Sequence, residues 1–441
     1  MRLALTASML LATAAWGENW PQWRGPAGTG VSTEKGLPKE WSPTQNIAWR
    51  ASLAGLGVSS PIVWGDRVFV TYQVGSGVLR AGRHPTFVQE DNPADAGETP
   101  LGGTRPAAPD EKIGFAVAAF RTNDGRQLWE HRMDVVGKMP EVHEKRNLAT
   151  SSPVTDGERV YAWFSNGQLA ALDMNGRPVW TRHLGQEYST FDLDWGHASS
   201  PALAGDRLIL LCYQGSAAFL VALDKRTGKE MWKVERPRDT KSYSTPLVIA
   251  TEPLEVVVNS SESIEGFDPA TGKPLWKFVE PTRFAVPMPV FHEGMLYVSR
   301  GYRSGPYWAV KAGVRGDVSK EKLAWHVETG APYTSSMVYD GGLLYMATEM
   351  GIVTCVDAKT GERVWRERLG GIYSASPVAA DGMIYLVGET GETLVLRSGK
   401  KPDVVARNKL GMRVIASPAI SGSRIFVRGD RQLVAIQTAA R

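Results

Sequence analysis

A repeated unit limits what this chain can fold into more than any single residue does. Its clearest copy runs from Ser199 to Trp232 and reads SSPALAGDRLILLCYQGSAAFLVALDKRTGKEMW. Residues 208–213 and 219–223 are apolar runs of strand length, rich in β-formers. Ala204-Gly205-Asp206-Arg207 is turn chemistry, because Gly supplies positive φ and Asp can bond its own backbone. Asp224-Lys225-Arg226-Thr227-Gly228 is a second turn, and a short strand carrying Trp232 follows. Four short strands joined by tight turns make one antiparallel sheet. Such a sheet cannot bury both faces alone and must stack on copies of itself.

The copies open on Ser59-Ser60-Pro61, Ser151-Ser152-Pro153, Ser199-Ser200-Pro201, Ser244-Thr245-Pro246, Met288-Pro289, Ser335-Ser336-Met337, Ser376-Pro377 and Ser417-Pro418. They close on Trp129, Trp180, Trp232, Trp276, Trp325 and Trp365, and the seventh has Ala406 at that place. The eighth runs out of chain after strands at 424–427 and 433–436. Its missing strand is predicted at 46–51, where Trp49 has the neighbours of a closing tryptophan. The period of about 40–50 residues is that of a propeller blade. The expected fold is all-β: an eight-bladed propeller over 46–441, closed by an N-terminal strand that completes the last blade. Closure leaves only short, protected sheet edges.

The repeats leave no room for a second core in 441 residues, so one ring, acting as a monomer, is expected. A net charge of +4, from 50 basic and 46 acidic side chains, argues against a nucleic-acid partner. Residues 1–17 have the pattern of a secretory signal: Arg2, an apolar stretch, then Ala15-Trp16-Gly17 with small residues at the cleavage-reading positions. Cleavage near Gly17 would deliver a periplasmic or secreted protein with no transmembrane segment; the structural alternative is an uncleaved anchor. No cysteine follows the apolar run, which argues against a lipid anchor. Cys212 and Cys355 fall in the third and sixth blades, too far apart for a disulfide, and are expected as free buried thiols. Two cysteines without a histidine pattern also argue against a zinc site, and no other metal site is expected.

Residues 18–45 read as an extended lead that lays Trp20, Trp23 and Trp41 on the outside of the ring. Gly28-x-Gly30 within it is no phosphate loop, since no strand precedes it and no helix follows. The first blade carries an insertion at 75–112, rich in Gly, Pro, Ala and charge. Insertions of this length are functional or disordered, here a lid over one face or a loose loop.

The stretches ALDKRTGKEMW, GFDPATGKPLW, CVDAKTGERVW and ALDMNGRPVW place an Asp-capped turn and a Gly before each closing tryptophan. That role makes Trp49, Trp129, Trp180, Trp232, Trp276, Trp325 and Trp365 structural docking residues, each burying about 150–250 Å² between blades. The Ala-x-Asp-x-x-Thr-Gly…Trp pattern resembles the tryptophan-docking motif of the quinoprotein (PQQ-repeat) β-propellers, and the resemblance covers nearly the whole mature chain. That family includes PQQ-dependent alcohol dehydrogenases. It also includes BamB, the propeller of the outer-membrane barrel assembly machine, which binds no quinone.

Blade topology puts the tight Asp-Gly turns on one face and the variable loops on the other. The inter-blade links bring His143, Arg146, Trp195, His197, Lys241 and Tyr243 to the loop face, together with Arg283, Tyr333, Tyr373 and Arg413. The loops between second and third strands bring Asn259, Glu262, Tyr302, Arg303, Glu349 and Glu389. Residues just before each opening motif should rim a central funnel, and aromatics, cations and carboxylates converging there form a ligand-site pattern. Each has a structural alternative. His143 lies in a charged run that a solvated loop would carry. His197 could bond a backbone carbonyl, Arg283 and Arg413 could be ion-paired struts, and Tyr333 and Tyr373 could pack between blades. The three glutamates could simply neutralise arginines.

For the dehydrogenases the resemblance implies PQQ in the funnel, a calcium ion, a catalytic Asp and an adjacent cysteine pair. This chain has no such pair, and only Asn259, Glu262 and Asp194 could serve as hard oxygen ligands. No acid/base pair at a telling spacing and no Gly-x-Ser-x-Gly nucleophile stands in the sequence. The expected function is a binding or scaffold protein for a protein partner or small-molecule ligand, without cofactor. The alternatives are a PQQ-dependent oxidoreductase, or a binder or enzyme for an anionic or carbohydrate ligand.

Overall fold

The computed structural model describes residues 17–75, 113–140 and 145–439. The signal, most of the insertion and His143 lie outside them. Eight antiparallel sheets follow one another around a ring. The first comprises Ile62–Trp64, Arg67–Val74, Gly114–Arg121 and Gln127–Asp134, hydrogen-bonded in that order. In the last, Ala419–Ser421, Arg424–Arg428 and Gln432–Ile436 are completed by Ile47–Ser52 from the N-terminal side. That strand runs antiparallel to Gln432–Ile436, with Trp49 opposite Ala435. The ring therefore closes as the repeat pattern requires. Among the described residues no helix is long and apolar enough to cross a membrane.

The closing tryptophans explain the Asp-x-x-Thr-Gly turn. Trp180 Nε1 donates to Lys225 O at 3.1 Å, in the turn of the next blade. Asp224 holds that turn by accepting the backbone N–H groups of Arg226 and Thr227. Gly228, at φ +71°, lies under the indole, where an added Cβ would sit 2.8 Å from Trp180 Cδ2. Gly is thus required twice, for its dihedral and for the approach of the ring. Trp129, Trp232, Trp325 and Trp365 repeat the bond onto the next blade. Trp49 makes it from the last blade to Thr122 O of the first. Trp276 departs from the rule and donates to Glu255 in its own blade. A β-bulge stands beside Trp49, Trp129, Trp180, Trp232, Trp276 and Trp365 but not beside Trp325; after Ala222↔Trp232 the register slips to Leu223↔Glu230.

The opening motifs form a belt around the axis. The N–H of Ser60 donates to Ser152 Oγ, that of Ser152 to Ser200 Oγ, and that of Ser200 to Thr245 Oγ1. Three further bonds run Met288 to Ser336, Ser336 to Ser376 and Ser376 to Ser417. The belt is interrupted at Met288, which has no hydroxyl to offer Thr245.

The lead does not lie outside the ring. It enters the axis. Trp20 pairs with Val63 on the innermost strand of the first blade and is wholly buried. Pro21 O accepts from Thr155 of the second blade, Arg24 donates to Met337 O of the sixth, and Val31–Ser32 pairs in parallel with Ala379 and Ala380 of the seventh. Trp41 is buried too, stacked on Tyr385 with ring centroids 6.4 Å apart. In other blades the closing tryptophan packs on the matching second-strand aromatic at similar distance, Trp365 on Tyr345 at 6.0 Å and Trp129 on Phe69 at 5.9 Å. Trp41 therefore supplies from the lead the ring that the seventh blade lacks at Ala406. The expectation of a surface lead fails because the lead finds its backbone and side-chain partners on the innermost strands.

Cys212 and Cys355 are free and buried, and burial pushes the Cys355 thiol up to about 12.

Candidate functional site

A cavity of about 140 Å³ opens on the loop face at the axis. Trp23, from the lead, is its floor, and Trp23 Nε1 donates to Ser417 Oγ at 3.3 Å. Belt residues Ser60, Ser152, Ser200, Thr245 and Ser417 line the lower wall. The belt bonds use lone pairs of the Ser152, Ser200, Thr245 and Ser417 hydroxyls, whose protons meet no acceptor among the described residues. Higher up stand Trp195, Tyr243, Phe284 and Tyr333, with Lys145 and Arg146 as the charged lining residues among those described. The opening motifs, read from sequence as the start of each blade, thus also build the wall. Phe284 and Trp23 had no repeat position to mark them.

The structure distributes the sequence candidates unevenly. Arg146, Trp195 and Tyr333 line the cavity, as does Tyr243. Tyr302 stands at its edge, with ring centroids 5.0 Å from Phe284 and 5.4 Å from Tyr333. Arg283 is exposed, its guanidinium 5.2 Å from the centre of Phe284 and 5.9 Å from that of Tyr302. Arg303, also exposed, lies 5.4 Å from the Tyr302 ring and takes a positive φ of 51°. Glu349 sits behind the wall and accepts both the N–H and the hydroxyl of Thr334 at 2.7 Å. Burial raises its carboxyl pKa, partly offset by those bonds.

Others are structural. Arg413 pairs with Asp430 at 3.0 Å and donates to Lys145 O. Lys145 pairs with Glu389 at 2.9 Å, and Lys241 with Asp194 at 3.3 Å. Tyr373 is buried in the apolar cluster between the sixth and seventh blades. Glu262 is half-buried, away from the cavity lining. His197 is 1% exposed, its ring 4.2 Å from Trp163 and 5.0 Å from Phe191. Asn259 is fully buried, donates to the carbonyls of Pro287 and Ser299, and accepts from Arg300. Both lie below the surface because they continue strands whose ends the links cover.

Residues 113–302 and 311–440 match the family described as outer membrane protein assembly factor BamB. The chain belongs to this family. A BamB from Xanthomonas campestris pv. campestris is 32% identical over 117 residues, 26% of this chain and 25% of that protein. One from Pseudomonas aeruginosa is 30% identical over 131 residues, 29% of this chain and 32% of its own. The matched stretches thus span well under half of these BamB relatives. Among solved structures, BamB from Moraxella catarrhalis superimposes with a TM-score of 0.56 at 17% identity, over 74% of this chain and 89% of its own. A europium-containing methanol dehydrogenase superimposes with a TM-score of 0.66 at 13% identity, over 93% and 89%. At such identities both show the fold alone.

The residues of this BamB-family propeller do not fit a quinone with a calcium ion. Among the described residues the cavity lining holds no carboxylate. Asn259 is spent on carbonyls and Arg300, and Asp194 on Lys241. Among the described residues no three His, Cys, Asp or Glu side chains come together as a metal site would need. The two cysteines are buried in separate blades.

Proposed function

We propose that this protein is a non-catalytic binding propeller of the cell envelope, and that its loop face docks a protein partner. The observation that carries this reading is the rim beside the funnel. Arg283 and Arg303 are exposed, held against Phe284 and Tyr302, and meet no carboxylate among the described residues. Arginine, tyrosine and tryptophan are the residue types that dominate interface hot spots, and rings that hold a guanidinium in place reduce the entropy lost on docking. Among the described residues the cavity lining contains no Asp, Glu, His or Cys. The relatives' name, outer membrane protein assembly factor, and the signal pattern at 1–17 support the envelope location.

The test is a pull-down from native envelope with the wild type and with Arg283→Ala/Tyr302→Ala. The double variant should keep its thermal midpoint and lose the partner. A variant that melts early would make these residues struts, and an unchanged pull-down would end the docking reading. In parallel, the protein given PQQ and calcium should not reduce a dye with alcohols or sugars; turnover would replace the reading with a dehydrogenase.

A further inference from the structure

We infer that the axial cavity is a receptor for a carboxylate carried on one flat ring, an aromatic monoacid of benzoate size. This goes beyond partner docking on the rim, since it concerns the cavity's interior and is tested without a partner. Three properties of the cavity converge on that chemistry.

The first is size. An apolar cavity of about 150 Å³ holds one benzene ring. The funnel offers about 140 Å³ above Trp23, enough for one ring.

The second is charge. Lys145 is spent on Glu389. Arg146 has no ion pair among the described residues, and its Nη1 is buried with no hydrogen-bond partner there. The hydroxyl oxygen of Tyr243, a residue 5% exposed, takes the backbone N–H of Trp195, and no acceptor for its proton stands among the described residues. The Arg146 guanidinium stands 6.0 Å from the centre of the Tyr243 ring, so the two donors share one side of the wall. Burying donors without an acceptor is costly, and a carboxylate offers a guanidinium two acceptors in matching geometry. The unspent belt hydroxyl protons add weaker donors nearby.

The third is shape. Trp195, Phe284 and Tyr333 present ring faces and edges above the Trp23 floor. Aromatic pairs gain from offset or edge-to-face contact, which an aliphatic acid or inorganic phosphate cannot make. Phosphate would satisfy Arg146 and leave these walls wet.

The experiment is a calorimetric titration of the full chain, repeated by tryptophan fluorescence, with benzoate, benzamide and inorganic phosphate. Benzoate should saturate with a Kd below about 1 mM and bind at least about tenfold tighter than the other two. Arg146→Gln should abolish that preference and leave benzamide unaffected. If Arg146→Gln fails to fold, the benzoate-to-benzamide ratio of the wild type decides. Equal binding of benzoate and benzamide, phosphate binding as tightly as benzoate, or no saturation by about 10 mM overturns the proposal. Benzoate added to the envelope pull-down then separates two sources of the group. Displacement of the partner marks an acid carried on the partner, and retention marks a free acid.

Discussion

His197 owes its state to burial. Desolvation lowers its pKa to about 3, and the nearby Arg146 charge works in the same direction. Gln214 Nε2 sits 3.1 Å from its Nδ1; with the amide as donor, the ring is neutral and its proton is on Nε2. The unfolded imidazole titrates near 6.5, so between that value and about 3 the unfolded chain takes up a proton that the native protein refuses. This group's contribution to stability is therefore complete above pH 6.5 and is lost as pH falls, by up to about 1.4 kcal/mol per pH unit. The urea midpoint should drop between pH 7 and 4, and His197→Gln should flatten the drop. The same slope in the variant would show that other groups set acid sensitivity. Buried arginines follow a different logic. Arg428 spends Nη1 on Ser59 and on Thr71 O at 2.6 Å, and burial lowers its pKa to about 9. It bonds the last blade to the first near the opening motif of the first blade.

In most blades the closing tryptophan lies over the turn of the next blade, so the blade is expected to lean on its neighbour for stability. The seventh blade tests that statement, because its own strand Asp403–Lys409 carries Ala406 at the docking position. Trp41 fills the vacancy from the lead, and its backbone N–H donates to Asn408 Oδ1 at 2.9 Å, which fixes the chain there. Trp41→Ala should therefore cost about as much as Trp365→Ala, on the order of 3–5 kcal/mol for a buried aromatic. Urea denaturation of both variants measures it. A loss below about 1 kcal/mol for Trp41→Ala would mean that the lead only covers the blade.

At the scale of the whole molecule the N-terminal segment does two separable jobs. Residues 47–52 close the ring, and residues 20–32 fill the axis and floor the funnel. Deleting through residue 45 should lower the melting temperature while leaving one cooperative transition. Deleting through residue 52 should expose the edge of Gln432–Ile436 and replace that transition by a broad or aggregating one. Circular dichroism melts distinguish the two, and identical melts would refute the division.

Periodicity alone determined the blade count, the closing strand at Trp49 and the docking tryptophans, because each rests on a local pattern repeated at fixed spacing. The same logic placed Arg146, Trp195 and Tyr333 on the loop face, just before or within the links. It failed where a residue's surroundings come from distant chain. His197 occupies an inter-blade link and Asn259 a loop between second and third strands by sequence, yet both are buried. The lead has no repeat to place it, so only the folded ring shows Trp41 entering the seventh blade and Trp23 sealing the axis. A chain carries its own periodicity in its residues, whereas the space left between eight stacked sheets exists only once they have assembled.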